Sequence, residues 1–271
     1  MRFGEGALHR IQYSPFRKIF FYIFGHDFIG AAIRQSHFSK YFSMIRNKNM
    51  KGKKETSTFL DAGCGAGDFT FYTAQNFPES RIYGYDIKEE IIKENKIIAD
   101  KLGIKNVSFV KNDLLTLDEK DRYDFVISIG TLIYFSKEDT RKILKNIIKS
   151  MKKEGILYLD LPQEDFLEIN IIPKKNYSNY YSQLKSENSG ELYSYEDMKE
   201  LLNELGLRII FTNKSFGYFG KLAWELDNTL RERKLHKLRF LAIPIMKIFA
   251  FLDGNMKNKK GCCYVIASIK D

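Results

Sequence analysis

The spacing of apolar residues changes character along the chain near residue 57. Before that point, two runs within residues 1–50 place apolar and aromatic residues at helical intervals, and a polar, lysine-rich stretch follows them. From residue 57 onward, short apolar runs typical of buried strands alternate with amphipathic stretches typical of helices. The pattern predicts an N-terminal helical cap and linker over residues 1–55 and a larger domain over residues 56–271.

Seven strands are predicted in the larger domain. Their sequences are STFLDA, RIYGYDI, VSFVKN, DFVISIG, GILYLDL, RIIFTNKSF and GCCYVIASIK. Among the first five of these strands, helical spacing between successive strands, as in residues 88–103, implies parallel strands joined by right-handed crossovers, with helices on both faces. The predicted fold is therefore α/β, a doubly wound sheet of seven strands with helical additions.

Two excursions interrupt this regularity. Residues 163–190 are polar and tyrosine-rich, and residues 217–258 hold two helical patterns separated by a charged stretch. We expect residues 12–45 and 217–252 to pack beside each other over the strand ends, because each carries more apolar surface than one exposed helix shows to water. They would form the outer wall of a largely hydrophobic pocket. The candidate wall or interface residues are Phe16, Phe20, Tyr218, Phe219 and Trp224.

Composition narrows the class of protein and its partners. The 271 residues are 44% hydrophobic and 14% aromatic, enough for a sizeable core. A net charge of +10 favours anionic partners, such as nucleic acid or an acidic membrane face, and is also common in soluble lysine-rich proteins. Cys64, Cys262 and Cys263 have no CxxC spacing, so we expect buried thiols and predict no metal site. The sequence has neither a signal-peptide layout nor an apolar run near 20 residues, which favours a cytoplasmic location and leaves peripheral membrane contact open.

The stretch FLDAGCGAGDFT, residues 59–70, has the composition of a glycine turn between a strand and a helix. Gly63, Gly65 and Gly67 are spaced by two, and Asp68 stands where a dinucleotide fingerprint has its third glycine. An aspartate there would repel a pyrophosphate, and no GxxxxGK[ST] motif is present. A ligand without phosphate groups fits better, with Asp61 at the strand end able to hold a cationic group.

Several motifs in order resemble those of the class I S-adenosylmethionine-dependent methyltransferases. LDAGCGAG resembles their first motif, YGYDI the end of the second strand, and VKNDLLTL the end of the third. YDFVISIGTLIYF resembles the fourth-strand motif, and MKKEGILYLDLP resembles the turn and fifth strand, with KKEG in place of the usual KPGG. The resemblance covers residues 57–161 and, more weakly, the remainder. It implies a Rossmann-like methyltransferase domain over residues 56–271.

The resemblance also implies S-adenosylmethionine as cofactor and a role for three aspartates. Asp61 would hold a cationic group, Asp86 the ribose hydroxyls, and Asp113 the adenine amino group. Asp86 lies 86 − 67 = 19 residues beyond the last glycine of the turn, close to the usual spacing of about 20. The full set of expected cofactor-binding residues is Asp61, Gly63, Cys64, Gly65, Gly67, Asp86, Ile87, Asn112, Asp113, Leu114, Ser128 and Ile129.

Methyl transfer of this kind is a direct in-line displacement that needs alignment and desolvation, and a general base only where the acceptor must lose a proton early. The candidates for that role are Tyr134, His37 and Asp160. Tyr134 stands where many relatives carry histidine or glutamate, so no role transfers to it and the catalytic residue stays unassigned.

The loop after the fourth strand bears on the acceptor. It reads SIGTLIYF and lacks the [ND]PP[YF] sequence that binds the amino group of a nucleic-acid base in methyltransferases acting on such bases. The sequence also shows no recognisable RNA-binding module. We therefore predict a small-molecule or lipid-like acceptor. An RNA methyltransferase and a non-catalytic S-adenosylmethionine-binding protein are the alternatives. Oxygen, nitrogen and carbon methylation share this core, and the sequence does not indicate an oligomeric state.

Overall fold

The computed structural model describes residues 28–49, 56–162 and 192–271. Seven strands form one sheet: β1 (Thr58–Ala62), β2 (Arg81–Asp86), β3 (Val107–Lys111), β4 (Tyr123–Ile129), β5 (Met151–Pro162), β6 (Leu207–Ser215) and β7 (Cys263–Lys270). The helices are α1 (Ile29–Asn49), α2 (Asp68–Asn76), α3 (Glu89–Leu102), α4 (Lys137–Ser150), α5 (Tyr195–Glu204), α6 (Tyr218–Glu232) and α7 (His236–Asn255), with a 3-10 turn at Leu132–Tyr134. The seven predicted strands and the α/β class are confirmed.

The strand order is β3-β2-β1-β4-β5-β7-β6. The pairs among β1 to β5 are parallel, as the alternation of strands and helices predicts. Strand β7 runs in the opposite direction and is antiparallel to both β5 and β6. The reason is the connection: two helices, α6 and α7, carry the chain out and back, so β7 begins opposite the residue where β6 ends, with Cys263 paired to Ser215.

Neighbouring residues of the central strands pack on opposite faces of the sheet, because side chains alternate along a strand. On one face, Leu60 and Val126 belong to a core with Ile143 of α4 and Leu201 of α5. On the other face, the strand residues meet α1 and α2 in an aromatic core formed by Phe38, Phe42, Phe59, Phe125, Tyr158 and neighbours. Both faces of the sheet are therefore covered, as a parallel sheet requires.

Helix α1 also contacts the two helices of the second excursion. Ile29 and Ile33 are fully buried in a cluster with Ala223 of α6 and with Ile243 and Met246 of α7. The described parts of residues 12–45 and 217–252 thus pack beside each other, as predicted. Phe16 and Phe20, residues 50–55 of the predicted linker and the excursion over residues 163–190 lie outside the described residues. Within the described helices, none combines the length and apolar character needed to cross a membrane.

Candidate active site

A cavity of about 520 Å³ lies at the carboxyl ends of the central strands. This is the position where open parallel sheets bind ligands, because the strand order reverses there between β1 and β4. Ten of the twelve residues predicted to bind cofactor line it: Asp61, Gly63, Cys64, Gly65, Asp86, Ile87, Asn112, Asp113, Leu114 and Ile129.

The glycine turn after β1 brings the backbone to the edge of this cavity. Gly63 has φ +85°, and a Cβ atom there would lie 2.2 Å from Thr131 Cγ2, so glycine is required for the close approach of the two loops. Thr131 Oγ1 donates a hydrogen bond to the Gly63 carbonyl oxygen at 3.2 Å. Gly65 has φ +47° and no atom within 4 Å of its Cβ position, so its backbone faces open space.

Asp86 links the glycine turn to the end of β2. Its Oδ2 accepts a hydrogen bond from the Gly65 amide at 3.0 Å, and its Oδ1 accepts one from the Lys88 amide at 3.0 Å. Asp113 has a related position after β3, where Oδ1 accepts from the Leu115 amide at 2.9 Å. A carboxylate has about four acceptor sites, so both side chains keep capacity for ligand hydroxyl or amino groups.

Asp61 is the most deeply buried acid of the cavity, with 3% of its surface exposed. Thr70 Oγ1 donates to its Oδ2 at 2.6 Å. Burial raises the pKa of the Asp61 carboxyl group to about 7, against the Thr70 hydrogen bond and with the help of the nearby Asp86 and Asp68 charges. A cationic ligand group at this point would relieve the repulsion and favour the ionised carboxylate.

The far end of the cavity is mostly apolar and aromatic. Phe28 precedes helix α1, Ala31 belongs to α1, helix α6 contributes Trp224, and Phe216 and Tyr134 also line the cavity. These side chains give this end of the cavity a largely apolar lining. This end of the cavity is therefore suited to hold an organic group in a dry setting.

Arg34 of α1 places a charge within this apolar end. Its Nε lies 3.4 Å from Asp160 Oδ1, and its guanidinium carbon lies 5.5 Å from the centre of the Phe216 ring. Asp160 is fully buried, and burial raises the pKa of its carboxyl group while Arg34 opposes that rise. The pair joins α1 to β5.

The remaining predicted residues lie elsewhere. Gly67 precedes α2, where its Cβ position would be 2.9 Å from the Phe71 ring, and Ser128 is fully buried within β4. Neither lines the cavity. Gly67 provides the turn into the helix, and Ser128 is a core residue of β4.

Of the three candidate bases, Tyr134 alone lines the cavity. His37 is fully buried outside it, with Nε2 at 2.8 Å from Asp253 Oδ2, so it joins α1 to α7 and has no path to a substrate there. Asp160 lies behind Arg34 and outside the lining. The placements of His37 and Asp160 therefore disfavour the predicted catalytic role.

Of the described residues predicted to lie in the wall or at an interface, Trp224 lines the cavity. Tyr218 is 56% exposed to solvent and does not line the cavity. Phe219 contacts Phe249 of α7 in a tilted arrangement, with ring centres 5.9 Å apart, and does not line the cavity.

Sequence reasoning missed Thr131, Arg34 and Phe216. Thr131 could have been predicted from the sequence, because it lies two residues after the end of β4 in the loop SIGTLIYF. Arg34 was harder to predict, because the sequence offered only a cation among the apolar residues of a predicted helix.

Residues 53–210 match a family model described as a methyltransferase domain, which is more than half of the chain. An uncharacterized protein of Rickettsia prowazekii is 28% identical over 162 residues, 59% of this chain and 60% of that protein. Malonyl-(acyl-carrier protein) O-methyltransferase 2 of Ilyobacter polytropus is 29% identical over 161 residues, 57% of this chain and 56% of that protein. The chain thus spans less than two thirds of the length of these curated relatives.

Among solved structures, magnesium protoporphyrin IX methyltransferase from Synechocystis has a TM-score of 0.54 to this chain. The match covers 89% of this chain and 86% of that chain, at 17% sequence identity, and that structure holds bound S-adenosylhomocysteine (SAH). At this identity the likeness shows a shared fold.

Proposed function

The chain belongs to the methyltransferase-domain family, and from this premise we propose that it binds S-adenosylmethionine and transfers the methyl group to a small-molecule or lipid-like acceptor. The observation that carries the proposal is the convergence of Asp61, Asp86 and Asp113 on one cavity beside the glycine turn. These acids lie at or just after the carboxyl ends of three successive strands, so the sheet topology itself brings them together.

The donor set fits the cofactor. Asp61 is buried with a pKa raised to about 7 and lies near other carboxylates, so a cationic amino group is the ligand that best stabilises its ionised form. Asp86 and Asp113 are acceptors at the open edge of the same cavity, which suits ribose hydroxyls and an adenine amino group. The open space at Gly65, which a side chain would enter, allows close approach of a ligand to the backbone.

When bound, S-adenosylmethionine supplies a methyl group activated by a positively charged sulfonium. The residues of the chain then have two tasks. The acids and the glycine turn fix the orientation of the cofactor, and the aromatic end, including Trp224 and Phe216, excludes water and holds the acceptor in line. Tyr134 contributes a phenol group to the lining of this end. Of the three candidate bases, it is the one that remains positioned to contact the reacting atom of the acceptor.

The acceptor end supports an organic acceptor with an anionic group. Phe28, Phe216 and Trp224 offer apolar contact, and Arg34, which also pairs with Asp160, brings a guanidinium to the lining that would attract an anionic group. The aromatic faces already have cationic neighbours, Arg34 beside Phe216 and Arg231 beside Phe28, which disfavours a cationic acceptor. One relative, by its name, acts on malonyl-(acyl-carrier protein), an acid.

The experiment uses S-adenosylmethionine with a deuterated methyl group. The purified protein and its Asp86→Ala variant are incubated with cell extract separated into small molecules, lipids and RNA, and mass spectrometry follows the label. Label in small molecules or lipids with the wild type, and not with the variant, supports the proposal.

Two other outcomes overturn it. Label in the RNA fraction assigns the protein to RNA methylation. Tight cofactor binding by calorimetry, with no label in any fraction, assigns it to non-catalytic binding.

A further inference from the structure

Helix α7 has large apolar residues on a face that the rest of the described structure does not cover. Leu238, Leu241, Ile245, Ile248 and Phe251 have 53%, 71%, 53%, 56% and 62% of their surfaces exposed. Their spacings of three and four residues place them on one side of the helix, within an arc of about 140° at 100° per residue. We call these five residues the outer face of α7.

The opposite side of α7 already provides the packing that the fold needs. Ile243, Met246 and Ala250 are buried against α1 and α6. A helix that packs on one side against a protein core normally shows polar residues on the other. The outer face of α7 therefore has no folding role in the described structure, and contiguous exposed apolar surface of this kind is typical of an interaction site.

The charge around the outer face indicates the chemistry of its partner. From residue 233 to residue 260 the sequence has a single acid, Asp253, and this residue is buried against His37. The exposed basic residues of the same stretch lie before, within and after the helix: Arg233, Lys234, Lys237, Lys257, Lys259 and Lys260. The outer face is thus an apolar strip with cationic ends and no exposed acid between them.

We infer that the outer face of α7 docks the protein on an anionic phospholipid surface. Apolar side chains in one strip would enter the boundary between headgroups and acyl chains, and the flanking lysines and arginines would contact the anionic headgroups. Pairing of this face with the same face of a second copy is disfavoured, because it would bring like charges together at both ends. The helix would lie in the plane of the surface.

The test is flotation of the full chain with vesicles of phosphatidylcholine alone and of phosphatidylcholine with phosphatidylglycerol. We expect binding to the anionic vesicles that weakens several-fold as salt rises, since salt screens the headgroup contacts. A double variant, Leu241→Glu with Ile245→Glu, should bind at least tenfold more weakly. The matched control changes Ile97 and Leu102 of α3, which are 46% and 55% exposed, to glutamate and should bind like the wild type.

Thermal unfolding of each variant checks that the fold is retained, which we expect because the changed side chains are exposed. Wild-type protein that stays unbound on anionic vesicles would overturn the inference, and so would a double variant that floats like the wild type. Sedimentation equilibrium of the wild type and the double variant tests whether the outer face of α7 instead binds a second copy of the chain. A dimer that the double variant dissociates, with no vesicle binding, would assign the outer face to a second copy.

Discussion

Replacing Asp61 by asparagine should stabilise the ligand-free protein at neutral and alkaline pH while it weakens cofactor binding. The change keeps the size of the side chain and leaves an oxygen to accept the Thr70 hydrogen bond, which is 2.6 Å long in the wild type. It removes the charge that burial disfavours. The stability gain and the binding loss would then have one physical cause.

The magnitude follows from the pKa of the buried carboxyl group. In the unfolded chain Asp61 ionises at its ordinary value of 3.8, whereas burial raises the pKa to about 7 in the folded chain. The folded state therefore binds the proton more tightly, and stability falls as the pH rises from about 4 through 7. At 1.36 kcal/mol per unit, a shift of about 3 units costs roughly 4 kcal/mol above pH 7. About half of this loss develops between pH 5.5 and pH 8.

Urea denaturation of both proteins at pH 5.5 and pH 8 measures the effect. The difference in free energy of unfolding between Asp61→Asn and wild type should grow by about 2 kcal/mol toward the higher pH. Thr70→Val is a second test. It removes a hydrogen bond that lowers the pKa of Asp61, so the loss of stability should extend to higher pH than in the wild type. A difference that stays constant across this range would refute the reasoning. Wild-type affinity for S-adenosylhomocysteine should fall below pH 7, as Asp61 becomes protonated.

Two further predictions concern the glycine turn and its partner. Asp86→Ala removes the acceptor of the Gly65 amide hydrogen bond and the proposed ribose contact. Calorimetry should show affinity for S-adenosylhomocysteine reduced tenfold or more, from a loss of about 1.5–3 kcal/mol of binding free energy. Unchanged affinity would contradict the ribose role. Gly65→Ala should weaken S-adenosylhomocysteine binding and lower the stability of the fold by about 1–2 kcal/mol. Gly103→Ala is the matched control, because Gly103 also has positive φ and open space at its Cβ position but lies at the end of α3. It should lose the same stability and bind S-adenosylhomocysteine normally in thermal shift assays. Equal binding by the two alanine variants would show that Gly65 does not face the cofactor.

The sheet and the cofactor side of the cavity could be predicted from sequence because their determinants are local. Each strand end carries its own acid, and parallel topology then places Asp61, Asp86 and Asp113 at one edge whatever the rest of the chain does. Gly67 and Ser128 are also among the expected cofactor-binding residues, and neither lines the cavity. A motif identifies a segment, but the alternation within a strand and the packing of Phe71 decide which residues face the cavity.

The acceptor side could not be predicted in the same way, because it depends on contacts distant in sequence. Helix α1 divides its residues among three neighbours: Phe38 packs on the sheet, Ile33 packs on α6 and α7, and Arg34 lies at the cavity beside Asp160. No single apolar stripe marks these roles. The direction of β7 has the same origin, since it depends on α6 and α7 returning the chain to the same edge.

Helix α7 shows why its sequence alone allowed two interpretations. Apolar residues all round the helix are compatible with packing over the core and with contact to a membrane. In the structure the two sides of the helix differ, with Ile243 and Met246 buried on one side and Leu241 and Ile248 exposed on the other. Since α1 and α6 line the cavity and also pack against α7, contact with a lipid surface would place that surface one helix layer from the acceptor end. This arrangement favours an acceptor that is itself apolar, and a lipid-like compound with an anionic group satisfies both the aromatic wall and Arg34.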